Sequence, residues 1–290
     1  MEVVMLGTGS PMPSTNRCGA GQLIICDDAR VLVDCGWGVA RRLFAAGVLP
    51  ASIDTLCFTH MHSDHITDTA DFMIMRWTGG ARAPLTVYGP EGTRETMEGF
   101  AAALRRDIGY RLAHHGEKLT PAGIEVAVHE VPARADPVTV ATVGGLLIEA
   151  FEVDHYPVVP ALGFRLRAGE ASVVISGDTK RCDALTNAAR AADVLICEAM
   201  NMEMMRANIE RVRPINPNTA ALLEDAMDYH SGTTDVAAMA RDAGVKKLVL
   251  SHLIPGVPDE GPLMDQFIAG MSDIFRGELV VGRDLMRFAV

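Results

Sequence analysis

The chain has 290 residues, 49% of them hydrophobic and 22% charged, the composition of a globular protein with an ample core. No run of about eighteen apolar residues offers a membrane-spanning helix, so no membrane partner is expected. Lys and Arg total 26 against 37 for Asp and Glu, and the net charge of −11 opposes nucleic acid at long range unless a local basic patch overrides it.

Strand patterns fill the opening: residues 3–6, 22–26, 31–34 and 55–58 are short apolar runs separated by Gly- or Asp-rich turns. Between them 39–46 reads as a helix stopped by Gly47. Residues 64–77 carry helical spacing with Ile66, Phe72, Met73 and Trp77 on one face; a strand at 85–88 and a helix at 91–104 follow. The second half repeats this grammar, with strands at 124–128, 146–153, 163–166 and 172–175 and a helix at 181–192. A strand at 194–197, a helix at 234–243 stopped by Gly244 and a strand at 247–250 complete it. Strands then helices, twice over, predict an α/β chain of two similar halves packed face to face, a four-layered αββα sandwich. No linker or low-complexity stretch divides the chain, so 1–290 reads as one domain, with insertions near 79–116 and 200–228. Such insertions form pocket roofs or dimer contacts, and the Met-rich second one is a candidate for a homodimer interface.

Six cysteines (Cys18, Cys26, Cys35, Cys57, Cys182 and Cys197) are scattered with no Cys-x-x-Cys pair, which fits a reduced, cytoplasmic protein. The N-terminus enters a strand pattern at once, so no secretory signal is read; whether one preceded this start stays open.

The densest chemistry is Thr59-His60-Met61-His62-Ser63-Asp64-His65. Imidazole nitrogens and carboxylate oxygens are the ligands of a borderline-soft divalent cation such as zinc. His60 and His62 alternate, so both can face one point from an extended backbone, while Asp64 and His65 follow a turn and can face a second. The run 53–58 just before them reads as a buried strand, so the cluster sits where a strand ends.

His-x-His-x-Asp-His after a strand resembles the signature of the metallo-β-lactamase superfamily. Met5-Leu6-Gly7-Thr8-Gly9-Ser10-Pro11, Val33-Asp34-Cys35-Gly36, Val153-Asp154-His155 and Ser176-Gly177-Asp178-Thr179 are similar to its RNase Z and arylsulfatase-like branch. So are Glu198, His230-Ser231 and Ser251-His252-Leu253. The resemblance implies the αββα fold with metals at the edge between the sheets. It implies that His60, His62 and His155 hold a first metal, that Asp64, His65 and His252 hold a second, and that Asp178 bridges them. His155, Asp178 and His252 each follow a strand pattern, so a common edge can gather them. Asp34 would steady a ligand imidazole, or form only the turn before Gly36. By resemblance Glu198 and His230 form a proton relay beside the metals; a helix start capped by Ser231 or Thr233 is the alternative.

The expected chemistry is a zinc-dependent hydrolase with two Zn²⁺, manganese or iron being alternatives for this ligand set. A metal-bridging hydroxide attacks the ester, steered by Asp64, and the leaving oxygen takes a proton from His230. For the substrate, true RNase Z enzymes carry a long tRNA-gripping arm between the positions of His155 and Asp178, an interval of only 23 here (178 − 155). With the acidic charge, that predicts a small phosphodiester or aryl sulfate rather than tRNA. Gly89-Pro90-Glu91-Gly92-Thr93 and Arg106-Asp107-Ile108 are similar to arylsulfatase-like members, and Trp77, Tyr156, Met200, Met202, Met204 and Met205 are candidates for an apolar leaving-group pocket. The alternatives are a tRNA 3′-processing nuclease, a lactone or thioester hydrolase, a non-catalytic RNA-binding relative and an iron dioxygenase on the same scaffold.

Overall fold

The computed structural model describes residues 1–290. One seven-stranded sheet joins β1 (Glu2–Gly7), β2 (Gly21–Cys26), β3 (Ala29–Val33), β4 (Thr55–Cys57), β5 (Leu85–Gly89) and β6 (Val126–Glu130) in sequence order. The other seven-stranded sheet runs from β7 (Val138–Val143) through β8 (Leu146–Glu152), β9 (Leu162–Ala168), β10 (Ala171–Ile175), β11 (Val194–Met200) and β12 (Lys247–Ile254) to β13 (Glu278–Val281). The last strand, β14 (Arg287–Ala289), returns to the first sheet and pairs antiparallel with β1, Val3 opposite Phe288. Each sheet begins with antiparallel hairpins and continues in parallel strands.

Alternation along the strands builds the layers. Val3 and Met5, Val31 and Val33, and Val194 and Ile196 turn into the core between the sheets. Val4, Leu6 and Leu32 turn outward onto α1 (Val39–Ala45), α3 (Thr69–Thr78) and α4 (Thr93–His115), meeting Leu43, Phe72 and Met97; α2 (Ser63–Ile66) lies apart, at the site. Leu195, Cys197 and Leu250 turn outward onto the other helical layer, formed by α5 (Asp183–Ala188), α8 (Thr233–Ala243), α9 (Pro262–Phe267) and α10 (Met271–Ile274). Strands covered on both faces must be apolar throughout, which is why these segments read as continuous hydrophobic runs. Each fully buried Val, Leu or Phe contributes about 1.5–3 kcal/mol, opposed by the entropy of ordering the chain.

Several element boundaries differ from the sequence pattern. The helix expected over 64–77 breaks at Thr67–Asp68 because its backbone is engaged elsewhere: Cys35 N donates to His65 O (2.7 Å) and Asp68 N donates to Cys35 O (3.0 Å). The helix at 91–104 instead runs on to His115, where Gly116 at φ 57° ends it. Residues 200–228 contain α6 (Met202–Val212) and α7 (Pro217–Ala226). Asn201 Oδ1 accepts from Met204 N (2.9 Å), and Asn216 Oδ1 from Thr219 N (3.1 Å) ahead of Pro217, two ordinary helix starts.

Met200 and Met205 pack with Ile209, Ala220 and Ile254 in a small core beneath that helical pair, with Met202 against them; Met204 packs on the larger core under α8. Trp77 is fully buried with its indole N–H on Thr120 O (2.8 Å). Trp77, Met200 and Met205 are core, Met202 and Met204 pack half-buried against it, and Tyr156 is exposed, which corrects the expectation that these side chains together line a leaving-group pocket. No helix is long and apolar enough to cross a membrane.

Candidate metal centre

The ends of β3, β4, β8 and β10 and the middle of β12 converge on one edge of the sandwich. Phe58 N donates to Tyr88 O at the end of β4, and Thr59 to His62 then leave the sheet before α2 begins. Asp34, just past β3 at φ 59°, anchors that loop. It accepts from Thr59 N (2.8 Å) and Thr59 Oγ1 (2.8 Å), and its Oδ2 stands 2.8 Å from His65 Nδ1. Thr59 Oγ1 also lies 3.1 Å from His60 Nδ1. Thr59 is therefore a positioning residue that the sequence motif contains but to which no role was given; a hydroxyl directly preceding a candidate ligand was the available signal. Asp34 thus faces the His65 imidazole directly.

His155 sits past β8 with Nδ1 3.0 Å from Tyr229 O, and its Nε2 faces His62 Nδ1 at 3.4 Å. Asp178 follows β10 through Gly177, whose φ of 62° and closeness to Thr59 exclude a side chain: an added Cβ would stand 2.9 Å from Thr59 Cβ. His252 does not follow its strand, as the pattern suggested, but lies within β12. Opposite β11 the register runs Glu198–Ser251 and then Ala199–Leu253, so His252 is the extra residue of a β-bulge, at φ 46°. A bulge re-aims a side chain that would otherwise alternate into the core, and a positive φ outside glycine marks a position held by its surroundings.

The structure brings all seven expected ligands together. Ligand atoms of His60, His62, His155 and Asp178 lie within 4.8 Å of one another, as do those of Asp64, His65 and His252. Asp178 stands between the sets: Oδ1 is 3.3 Å from His65 Nε2, and Oδ2 is 3.3 Å from His252 Nε2, 3.9 Å from His60 Nε2 and 4.0 Å from His155 Nε2. Asp64 Oδ2 is 3.0 Å from His252 Nε2. Ligands at about 2.0–2.1 Å from a tetrahedral ion stand roughly 3.4 Å apart, so this spacing suits cations.

Burial supports the same fit. His60 Nε2, His65 Nε2 and Asp178 Oδ1 are inaccessible to solvent and make no hydrogen bond, an arrangement that costs free energy unless a cation satisfies them. Burial holds His155 down at about 4 and His60 well below the usual imidazole value, so both offer neutral lone pairs at neutral pH. Burial opposes charge on His65 as well, but Asp178 and Asp34 outweigh it and raise its pKa well above the ordinary value. Asp178 resists burial because His252 and His65 stabilise its anion, which lowers its pKa well below the carboxylate range.

Glu198 lies within β11, not after it, and His230 precedes α8. His230 Nδ1 is 2.9 Å and 3.0 Å from the two carboxylate oxygens, and Thr179 N donates to Oε1 (2.6 Å). Burial and then Asp178 push Glu198 well above the usual range, while burial lowers His230. The pair lies at the edge of the centre, where atoms of His230, Asp178 and His252 fall within 4.8 Å.

A family model described as a β-lactamase superfamily domain matches residues 29–253. Proteins named ribonuclease Z from Mycobacterium bovis (strain BCG / Pasteur 1173P2) and Mycobacterium avium (strain 104) are 37% and 38% identical, over all of this chain and 98% of each relative. The chain belongs to the metallo-β-lactamase superfamily, in its ribonuclease Z-like branch. It is accordingly a divalent-metal-binding hydrolase. Two crystal structures share the fold at a TM-score of 0.71: the metallo-β-lactamase fold protein YhfI from Bacillus subtilis (21% identity, 99% of this chain and 98% of that one) and the short form of human tRNase Z (22%, 100% and 99%).

These relatives correct the substrate and partner expectations. A small phosphodiester or aryl sulfate as substrate, and tRNA as an unlikely partner, are overturned by full-length relatives that carry the ribonuclease Z name. The inference rested on a missing insertion between His155 and Asp178, filled here by a β9–β10 hairpin. Relatives matched over 98% of their own length leave no place for a long insertion either, so its absence does not separate small-molecule enzymes from nucleases. Net charge is a whole-molecule sum, while phosphate contacts depend on local charge.

Proposed function

We propose that this metallo-β-lactamase-fold protein is a zinc-dependent phosphodiesterase that removes 3′ extensions from precursor tRNA. The single observation that carries this reading is the conjunction of the relatives' name with a centre in which Asp178 separates two His-rich ligand sets. In this reading His60, His62 and His155 hold one ion, Asp64, His65 and His252 a second, and Asp178 both. Zinc suits a set dominated by imidazole. Two divalent ions in such a site supply a water of lowered pKa and charge neutralisation at the phosphate.

The remaining work falls to the chain's own residues. Asp34 and Thr59 fix the rings of His65 and His60, and the Tyr229 carbonyl fixes His155, so the ligand nitrogens are aimed before any ion arrives. Asp64, in the second set with Oδ2 3.0 Å from His252 Nε2, would accept a proton from the attacking water. Glu198 holds His230 through Nδ1 and leaves Nε2 to protonate the departing ribose oxygen, so the P–O bond breaks without expelling an alkoxide.

The test is to map cleavage of a precursor tRNA carrying a 3′ trailer by zinc-loaded protein. One cut at the end of the acceptor stem is expected. Equal cleavage of an unstructured RNA of the same composition, or no cleavage, would overturn the assignment to tRNA.

A further inference from the structure

Against the centre, reaching toward the inter-sheet core, lies a small, partly open cavity of about 20 Å³. Asp34, His65, Asp178 and Glu198 form its side toward the centre. Ile175 and Ile196 form its apolar wall, and Gln22, Ser251 and His252 a further polar wall. All three polar residues are more than nine-tenths buried. Ser251 Oγ and His252 Nδ1 are inaccessible to solvent and meet no protein partner, and Gln22 uses one amide N–H in a long contact with Gly7 O (3.5 Å).

His252 differs in this from every other buried imidazole of the centre. The nitrogen of His60 that points away from the site meets Thr59 Oγ1, that of His65 meets Asp34, that of His155 meets Tyr229 O and that of His230 meets Glu198. His252 alone presents Nε2 to Asp64 and Asp178 with nothing from the protein on Nδ1. A ligand imidazole needs such a partner to fix its tautomer and hold its ring. The bulge that aims His252 into the site also places a serine beside it whose hydroxyl is equally unsatisfied.

We propose that this cavity is a binding site for one structural water, which accepts the Nδ1 proton of His252 and bonds Ser251 Oγ and the Gln22 amide. The volume suits one water, which needs about 10–15 Å³ of space and two to four polar partners. With its proton held on Nδ1, His252 keeps the Nε2 lone pair directed at Asp64 and Asp178. Gln22 thereby acts on the metal centre through the water and His252, as a positioning residue rather than a ligand. The inference deepens the metal-centre reading and depends on it only for its second test.

The first test needs no metal. In ¹⁵N-histidine-labelled apoprotein, His252 should show the Nδ1-protonated tautomer with cross-relaxation to a long-lived water. A high-resolution crystal structure should place one water within hydrogen-bond distance of His252 Nδ1, Ser251 Oγ and the Gln22 amide. An empty or side-chain-filled cavity would overturn the proposal. The second test measures zinc affinity by chelator competition in Gln22→Leu and Ser251→Ala, with melting curves to show that each folds. Gln22→Leu should weaken one of two zinc ions about 10–100-fold, and Ser251→Ala should weaken the same ion less. Wild-type affinity in a folded Gln22→Leu protein would also overturn it, whereas a wild-type protein that takes up no zinc would instead overturn the metal-centre reading.

Discussion

His230 Nδ1 stands 2.9 Å and 3.0 Å from the two carboxylate oxygens of Glu198, 32 residues earlier in the chain. One residue belongs to a central strand and the other to the approach to α8, so the contact is made by the fold rather than by local sequence. It separates two roles that histidines play in this site. The candidate ligand imidazoles His60 and His155 meet a hydroxyl and a backbone carbonyl on their far nitrogens, whereas His230 faces both oxygens of a buried carboxyl group.

Removing each kind of histidine should therefore fail differently. His230→Ala should lower kcat by about 10²–10⁴-fold, the usual worth of general acid–base help, with metal per chain unchanged. Glu198→Gln keeps a hydrogen-bonding side chain but cannot exchange a proton with His230, so its loss should be smaller. Steady-state kinetics with elemental analysis of the same samples checks this; loss of metal from His230→Ala would make His230 a ligand.

Asp34 carries an equally specific expectation. Its carboxylate takes both Thr59 donors and faces His65 at 2.8 Å. Asp34→Ala should weaken zinc binding about 10–100-fold, read by chelator competition. An unchanged affinity would reduce Asp34 to a turn residue.

Away from the centre, Glu149 lies buried on β8, with Arg165 at 2.8 Å and Arg167 at 3.0 Å. Burial opposes its charge, but the two guanidinium groups outweigh it and lower its pKa. A depressed carboxyl contributes stability that is fully present above the ordinary carboxylate value and lost as pH falls through the folded value. Glu149→Gln should cost about 2 kcal/mol at neutral pH, and the gap between the two proteins should close as the medium is acidified below the ordinary carboxylate range. Urea unfolding at a series of pH values measures it.

Gly177→Ala combines a left-handed backbone (φ 62°) with a Cβ 2.7 Å from Leu162 O. A loss of at least about 1–3 kcal/mol follows from the strain alone, and the shift of Asp178 should reduce metal affinity as well. Calorimetry and metal titration of the one variant would show both effects together, or neither.

The candidate ligands were legible because metal chemistry demands residue types that rarely cluster by chance, and because most of the strand patterns end where those residues begin. His60, His62, Asp64, His65, His155, Asp178 and His252 are all gathered by the fold. What the sequence hid depends on tertiary context. The bulge at His252 is a mismatch between β11 and β12, which neither strand shows alone. The break at Thr67–Asp68 arises because Cys35 takes up backbone groups that would have continued the helix. Gln22 reads as one polar residue in an apolar strand and acquires its setting only when the second sheet covers it. By contrast, Asn201 and Asn216–Pro217 are helix starts legible in the sequence, within residues 200–228, to which no helix was assigned there. The substrate misreading had another origin: absence of an arm was weighed as evidence, although a fold can present RNA-binding surface in many places.

The most direct test of the central claim is a zinc titration of metal-free protein, with cleavage of a 3′-extended precursor tRNA followed at each addition and His155→Ala run alongside. The account predicts activity that rises from none, saturates near two ions per chain and stays absent in the variant. Cleavage by the metal-free protein, or a fully loaded protein no more active than His155→Ala, would contradict it.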